Sequence, residues 1–182
     1  MKKLSLIAGM LVLAASAFAQ SENYSRVEVS YNPITVEKLD LTGFTAGYVK
    51  AFNVTSKPLF IEVGGRLTYA TGDDSKFMQV AVPVNAVYKF TLSDEWSIAP
   101  FAGLVAKGNI LGETESGGQK AKWFEKVDEG GLDANRFQAG WNIGVGANYK
   151  KFYLGLSYGA EFIELADDTD TSNYAITFGY TF

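Results

Sequence analysis

Tyr174-Ala-Ile-Thr-Phe-Gly-Tyr-Thr-Phe182 closes the chain. Every second residue is large and apolar: Tyr174, Ile176, Phe178, Tyr180 and Phe182. Between them stand Ala175, Thr177, Gly179 and Thr181. A strand sends successive side chains to opposite faces, so period two in hydrophobicity marks a β-strand with one greasy face. A membrane barrel turns that face to lipid and keeps the slim, polar face for a narrow lumen. The segment also has roughly the 9–11 residues that a tilted membrane strand needs.

Seven more segments of this kind lie upstream. Tyr24 to about Ile34 sets Val27, Val29 and Tyr31 against Arg26, Glu28, Ser30 and Asn32. About Leu41 to Phe52 is less regular, because Phe44, Ala46 and Tyr48 share a face with Lys50. Leu59 to Ala70 points Ile61, Val63, Leu67 and Tyr69 one way and Glu62, Arg66 and Thr68 the other. Phe77 to Phe90 alternates Met78, Val80, Val82, Val84, Ala86 and Tyr88 with Gln79, Ala81, Pro83, Asn85 and Lys89. Proline cannot donate to a ladder, so a bulge is expected at Pro83. Trp96 to Lys107 follows, with Trp96, Ile98, Ala102 and Leu104 outward. Arg136 to Tyr149 has Phe137, Trp141, Ile143 and Val145 outward and Arg136, Gln138, Asn142 and Asn148 inward. Phe152 to about Ile163 has Leu154, Leu156, Tyr158 and Phe162 outward and Ser157 and Glu161 inward. The expected fold is therefore all-β: an eight-stranded antiparallel up-and-down transmembrane barrel.

The connections agree with it. Both termini of an even-stranded barrel lie on one side, and the gaps on that side are short: about 53–58, 91–95 and Lys150-Lys151. The opposite side carries gaps at about 35–40, 71–76, 108–135 and 165–173, the last two longer. Short periplasmic turns and longer extracellular loops are the usual asymmetry of such barrels. Aromatics cluster at both sets of strand ends, as at two membrane interfaces. The expected bands run through Tyr24, Phe52, Tyr88, Phe90, Trp96, Tyr149, Phe152 and Phe182 toward the turns. Toward the loops they run through Tyr31, Tyr69, Phe77, Phe137, Phe162 and Tyr174.

The chain opens Met1-Lys2-Lys3, runs apolar from Leu4 to Phe18, and reaches Ala17-Phe18-Ala19. A positive start, a short apolar middle and a small-x-small end read as a secretory signal peptide. The expected domains are a signal peptide at 1–19 and a barrel at 20–182. Removing Lys2 and Lys3 leaves 14 basic residues against 20 acidic ones, a net charge of −6. Nucleic acid, which needs a basic patch, is not an expected partner. Mean hydropathy is near zero, yet aromatics make up 14% of the chain and Gly numbers 19. A secreted β-sandwich or a soluble periplasmic barrel would share that composition. Neither has reason to place aromatics in two bands.

Several stretches resemble a known family. Met78-Gln-Val-Ala-Val-Pro-Val-Asn-Ala-Val-Tyr-Lys-Phe90 resembles a strand of the Bacteroidetes outer-membrane β-barrel (PorT-like) domain family. Arg136-Phe-Gln-Ala-Gly-Trp-Asn-Ile-Gly-Val-Gly-Ala-Asn-Tyr149 is similar to its Gly-rich sixth strand. Phe152-Tyr-Leu-Gly-Leu-Ser-Tyr158 and Ala175–Phe182 also match. The resemblance implies an outer-membrane barrel. The terminal Phe182 resembles the signal read by the barrel-insertion machinery. The name PorT attaches to protein secretion, which implies an accessory role in an envelope machine as an alternative.

The chain contains no His and no Cys. That removes imidazole bases, His-containing triads, thiol nucleophiles, disulfides and the usual zinc ligands. No cofactor, metal or catalytic residue is expected. Small barrels that act as lipid acyltransferases or deacylases rely on His-Ser arrangements, which this chain lacks. A carboxylate enzyme using Glu62 or Glu161 is the remaining enzymatic alternative. More simply, inward Arg26, Glu28, Glu62, Arg66, Lys89, Lys107, Arg136 and Glu161 are expected to pair inside a lumen that side chains fill. Asp167, Asp168 and Asp170 read as a solvated acidic loop rather than a calcium site. Asn53-Val54-Thr55 matches a glycosylation sequon by chance. Gly117-Gly118 and Gly130-Gly131 flank Lys120–Val127, a candidate for two helical turns. Its Trp123 and Phe124 are candidates for contact with a partner, or for folding over the barrel rim. The expected role is thus structural or surface-interacting. It is carried by 108–135 and 165–173, with outer-membrane lipids and an unidentified extracellular or envelope protein as partners.

Overall fold

The computed structural model describes residues 23–36, 39–54, 58–72, 74–116, 119–125, 134–163 and 171–182. The expected signal peptide, the acidic triplet Asp167, Asp168 and Asp170, and the glycine pairs at 117–118 and 130–131 lie outside them.

The first stave is β1 (Tyr24–Tyr31) continued by β2 (Ile34–Val36). Both pieces keep one register against each neighbour, so Pro33 interrupts the ladder without bending the stave away. Then come β3 (Leu39–Asn53), β4 (Leu59–Gly72) and β5 (Ser75–Tyr88) with its short continuation β6 (Phe90–Thr91). After these follow β7 (Trp96–Ser116), the four-residue β8 (Gln119–Lys122), β9 (Phe137–Tyr149), β10 (Phe152–Ile163) and β11 (Thr171–Thr181). All pairings are antiparallel between sequence neighbours, and β1 pairs with both β3 and β11. That closes an eight-stave, up-and-down barrel with β8 as an appendage of β7. Closure removes the unpaired edges of an open sheet. The ends of the described chain are tied together, Phe182 N donating to Ser25 O at 2.9 Å.

Side-chain direction follows the alternation. Leu104 is 60% and Leu154 54% exposed on the outer wall, whereas Glu62 is 4% exposed inside. Phe44, Tyr48 and Lys50 all face out, so the irregular second segment turns Thr45, Val49 and Ala51 inward. Outer aromatics pair across strands at both ends. Trp96–Tyr149 (4.7 Å between ring centroids) and Phe152–Tyr180 (5.8 Å) lie toward the turns. Tyr31–Phe44 (5.7 Å) and Tyr158–Tyr174 (4.9 Å) lie toward the loops. Two expected belt members point inward instead: Tyr24 and Phe77. Phe77 falls in phase with Gln79 and Asn85 on the inner face of β5, and Tyr24 with Arg26 on β1.

Three local expectations are corrected. Pro83 causes no bulge: β4 and β5 hold register through it, and pairing merely skips from Val63–Val84 to Arg66–Ala81. The register shifts lie elsewhere, at Ile110 opposite Met78–Gln79 and at Phe162 opposite Gly140–Ala139. Second, β7 runs nine residues past Lys107. Third, no helix starts at Lys120, because Gln119–Lys122 is strand β8, paired back on β7 with Lys122 opposite Glu113. Cross-strand pairing of opposite charges favours that hairpin.

Candidate functional site

The lumen is filled in layers. At the turn end Ala51, Phe60, Val87 and Ala99 form an apolar floor, with Tyr24 and Phe101 packed on it. Above it runs a chain of alternating charges. Arg26 donates to both oxygens of Glu62 (3.0 and 3.1 Å) and, through Nε, to Glu28 Oε2 (3.1 Å). Glu28 Oε1 accepts from Arg66 Nε at 2.8 Å. Tyr24 donates its hydroxyl to Glu62 Oε1 at 2.5 Å, and the Tyr153 ring lies 3.8 Å from the Arg26 guanidinium carbon. Two arginines and two glutamates make the chain neutral. Each buried charge has a partner, without which burial costs several kcal/mol (about 3–5 when one partner is removed). Gly47 allows the crossing: a Cβ there would stand 2.9 Å from Arg66 Cγ.

Next comes a layer of uncharged bonds. Ser30 pairs with Thr177 (2.8 Å), Thr45 with Thr68 (2.7 Å), and Gln79 donates to Asn109 (2.8 Å), which donates to Gln138 (2.9 Å). Lys107 pairs with Glu161 in this region, separately from the four-residue chain. Between these groups lies a chamber of about 50 Å³ lined by Arg66, Lys107 and Asn142 among others.

The loop end is capped by Ile34, Leu41, Ala70, Phe77 and Trp123. Trp123 is 5% exposed, stacks on Phe77 at 5.6 Å and donates its indole N–H to Thr114 Oγ1 at 2.8 Å. Gly112 leaves room for it, since a Cβ there would meet the indole at 2.8 Å. Trp123 is therefore a cork, not a contact residue. Its neighbour Phe124 stays half-buried at the rim under the Arg136 guanidinium, 5.2 Å from the ring centre. Beyond the strands' membrane band, Lys122 donates to Glu125 at 2.8 Å, and that bond raises the lysine's pKa.

Of the eight inward charges read from the sequence, Arg26, Glu28, Glu62 and Arg66 form one network and Lys107 and Glu161 a second. Two need correction. Arg136 is exposed at the loop rim, because β9 begins only at Phe137. Lys89 sits at the turn-end mouth, over the Tyr24 ring at 5.8 Å, with no carboxylate in ion-pair range among the described residues. Lys89 keeps the inward phase of Asn85 and Val87, half-buried between exposed Tyr88 and Phe90, but stands at the mouth and outside both ion-pair networks. Tyr24, Phe77 and Tyr153 are among the luminal residues that the sequence reading missed. Tyr153 lay in plain phase between outward Phe152 and Leu154, the signal that marks it as inward.

The model of the family described as outer membrane protein beta-barrel domain matches residues 5–182. The chain belongs to that family. As a member of it, this outer-membrane barrel resides in the bacterial outer membrane. Its backbone is similar to that of Neisserial surface protein A, at a TM-score of 0.64 and 13% identity over 88% of this chain and 96% of that one. It is also similar to Ail, the attachment invasion locus protein of Yersinia pestis (TM-score 0.52, 15% identity, 90% and 100% covered). The outer membrane enzyme PagL shares the fold as well (0.52, 17%, 84% and 98%). Likeness at these identities shows the barrel alone. No curated protein matches the outer-membrane barrel in sequence.

Proposed function

We propose that this outer-membrane barrel is a non-enzymatic protein that acts through its extracellular surface. The filled lumen carries the reading. The charge chain, the uncharged layer and the Trp123 cap occupy the lumen at successive levels, with a chamber of about 50 Å³ between them. An eight-stranded barrel is only just wide enough for its own side chains. With transport through the lumen set aside, what stands out is the β7–β8 hairpin, with Phe124 and Arg136 at its base. A loop raised on a rigid scaffold is where binding residues usually lie. The segment 165–173 is the second contact region in this reading.

The partners follow from chemistry. Membrane lipids cover the aromatic bands and the insertion machinery reads the terminal strand ending in exposed Phe182. An extracellular or envelope protein meets the hairpin. Kinship with the PorT-like branch is part of this proposal, but no observation favours a secretion role over surface contact. PagL is called an enzyme, and a carboxylate enzyme would need free Glu62 or Glu161. Arg26 holds both oxygens of Glu62, and Lys107 pairs with Glu161 through Oε1, which supports the non-enzymatic reading.

The test joins two experiments. The purified barrel in a planar bilayer is expected to give no discrete conductance steps. A variant with residues 113–122 replaced by a Gly-Gly turn, inserted at normal levels, is expected to fail to restore a deletion strain's envelope phenotype. Steady conductance, or full restoration by the trimmed variant, overturns the proposal.

A further inference from the structure

Strand alternation turns Lys50 of β3 onto the lipid-facing wall, in one row with Phe44 and Tyr48. A charge in such a row is costly at the bilayer midplane and tolerated near the interface. The Lys50 ammonium lies 5.6 Å from the centre of the Phe52 ring, so the side chain bends toward the turn end, as long cationic side chains do to reach an interface. Ser25 of β1 stands directly opposite Lys50, and its hydroxyl accepts from the Tyr48 hydroxyl at 2.8 Å. That bond leaves the Ser25 proton to donate. On the other side of Lys50, β4 presents Val63 directly opposite and then Gly65, opposite Tyr48. A Cβ at Gly65 would meet no atom within 4 Å, so the wall dips there. Toward the turn end the row is bordered by Asn23 and Asn53, bonded at 3.1 Å.

We infer that the outer wall of β1, β3 and β4 at the turn end binds one anionic phospholipid, its phosphate on Lys50 and Ser25 and an acyl chain over Gly65. The bilayer selects the occupant. A lysine on this wall meets lipid, and the headgroup phosphate is the anion that a bilayer holds at its interface. An ammonium and a hydroxyl side by side are both donors, and hydrogen bonds to a charged phosphate are the stronger ones. The Tyr48 hydroxyl polarises Ser25 in the same sense, since bonds in a chain strengthen one another. A headgroup without an ammonium of its own keeps the net charge that Lys50 attracts, which favours an anionic lipid over a zwitterionic one. Two other charged groups border the region. Phe182, at the chain end, lies on the far side of β1, where Ser25 N–H donates to its oxygen at 3.2 Å. Lys150 and Lys151 lie across the barrel in the β9–β10 turn, over the rings of Tyr149 (5.3 Å) and Tyr180 (5.8 Å), with Lys150 paired to Glu95 at 3.0 Å. This site lies at the far end from the proposed extracellular contact surface and stands independently of it.

The test titrates the purified barrel in detergent micelles with phosphatidylglycerol or phosphatidylcholine and counts retained lipids by mass spectrometry of the intact protein. Phosphatidylglycerol is expected to bind first and more tightly than phosphatidylcholine. Lys50→Gln is expected to weaken that first step about fivefold, the effect of one lysine near a lipid surface, with heat-dependent gel mobility retained. Ser25→Ala is expected to weaken it by a smaller factor. The double variant Lys150→Gln with Lys151→Gln is expected to leave it unchanged. Equal retention of the two lipids, or an unaltered Lys50→Gln variant, overturns the inference. So does an unaltered Ser25→Ala variant, which makes Lys50 a bare interfacial charge. Loss of the first step in the Lys150→Gln, Lys151→Gln variant also overturns it, since the lipid would then sit on the β9–β10 turn.

Discussion

Arg26→Met should be the most damaging single substitution in the lumen that leaves the outer wall untouched. Arg26 holds two carboxylates at once, Glu28 through Nε and Glu62 through both terminal nitrogens, with its plane against Tyr153. Methionine keeps much of the packing against Tyr153 and removes every ionic bond. Glu28 then retains Arg66, and Glu62 retains only the Tyr24 hydroxyl. Taking one partner from a buried charge pair costs about 3–5 kcal/mol, more than the pair itself contributes relative to apolar replacements. The double variant Arg26→Met with Glu62→Gln should recover part of that loss, because the stranded charge goes with its partner. Arg26→Lys should fall between them, since an ammonium cannot serve both carboxylates in the planar, two-pronged way. The assay is urea unfolding of the refolded barrel in micelles, followed by tryptophan emission and confirmed by gel mobility before and after heating. A loss below about 1 kcal/mol for Arg26→Met, or no recovery in the double variant, would refute the claim that this charge chain is buried and mutually dependent.

Three further outcomes are expected. Trp123→Ala should open the cap rather than the barrel: at about 3 kcal/mol for a buried tryptophan, trypsin cleavage after Lys122 should quicken on the order of a hundredfold, with heat-dependent mobility unchanged. Lys150→Gly should raise stability by about 0.5–1 kcal/mol in the same urea assay, because Lys150 adopts a left-handed φ of 54° that glycine takes without a steric penalty. Its exposed contact with Glu95 contributes little to offset that gain. Leu154→Arg, in the middle of a lipid-facing row, should cost about 2–4 kcal/mol and lower the yield of inserted protein in refolding into vesicles.

Much of the wall was legible because strand alternation is local. Tyr174 to Phe182 declares its two faces without reference to any other strand, and its neighbours do likewise. What depends on partners was harder to read. That Glu28 bridges Arg26 and Arg66 follows from the stagger of three strands, which no single segment records. Tyr24 and Phe77 were placed in the membrane bands because aromatic residues at strand ends usually lie there. Their phase relative to Arg26 and Gln79 decides otherwise. The outer part of β7, through Glu113 and Glu115, carries no greasy face because no lipid adjoins it, and so it resembled a loop. Trp123 presented both options, and only the space left by Gly112 and the flat face of Phe77 settle that it is a cork.

The direction of the large alternate side chains is the claim from which the rest follows, and it can be measured along one strand. The protein has no cysteine, so single cysteines at positions 175 to 180 of β11 each carry one spin label without interference. In reconstituted vesicles, labels at Ile176, Phe178 and Tyr180 should collide freely with dissolved oxygen, and those at Ala175, Thr177 and Gly179 should be shielded. A reversed or flat profile, with 177 and 179 as open to oxygen as 176 and 178, would contradict a lipid-facing wall around a filled lumen.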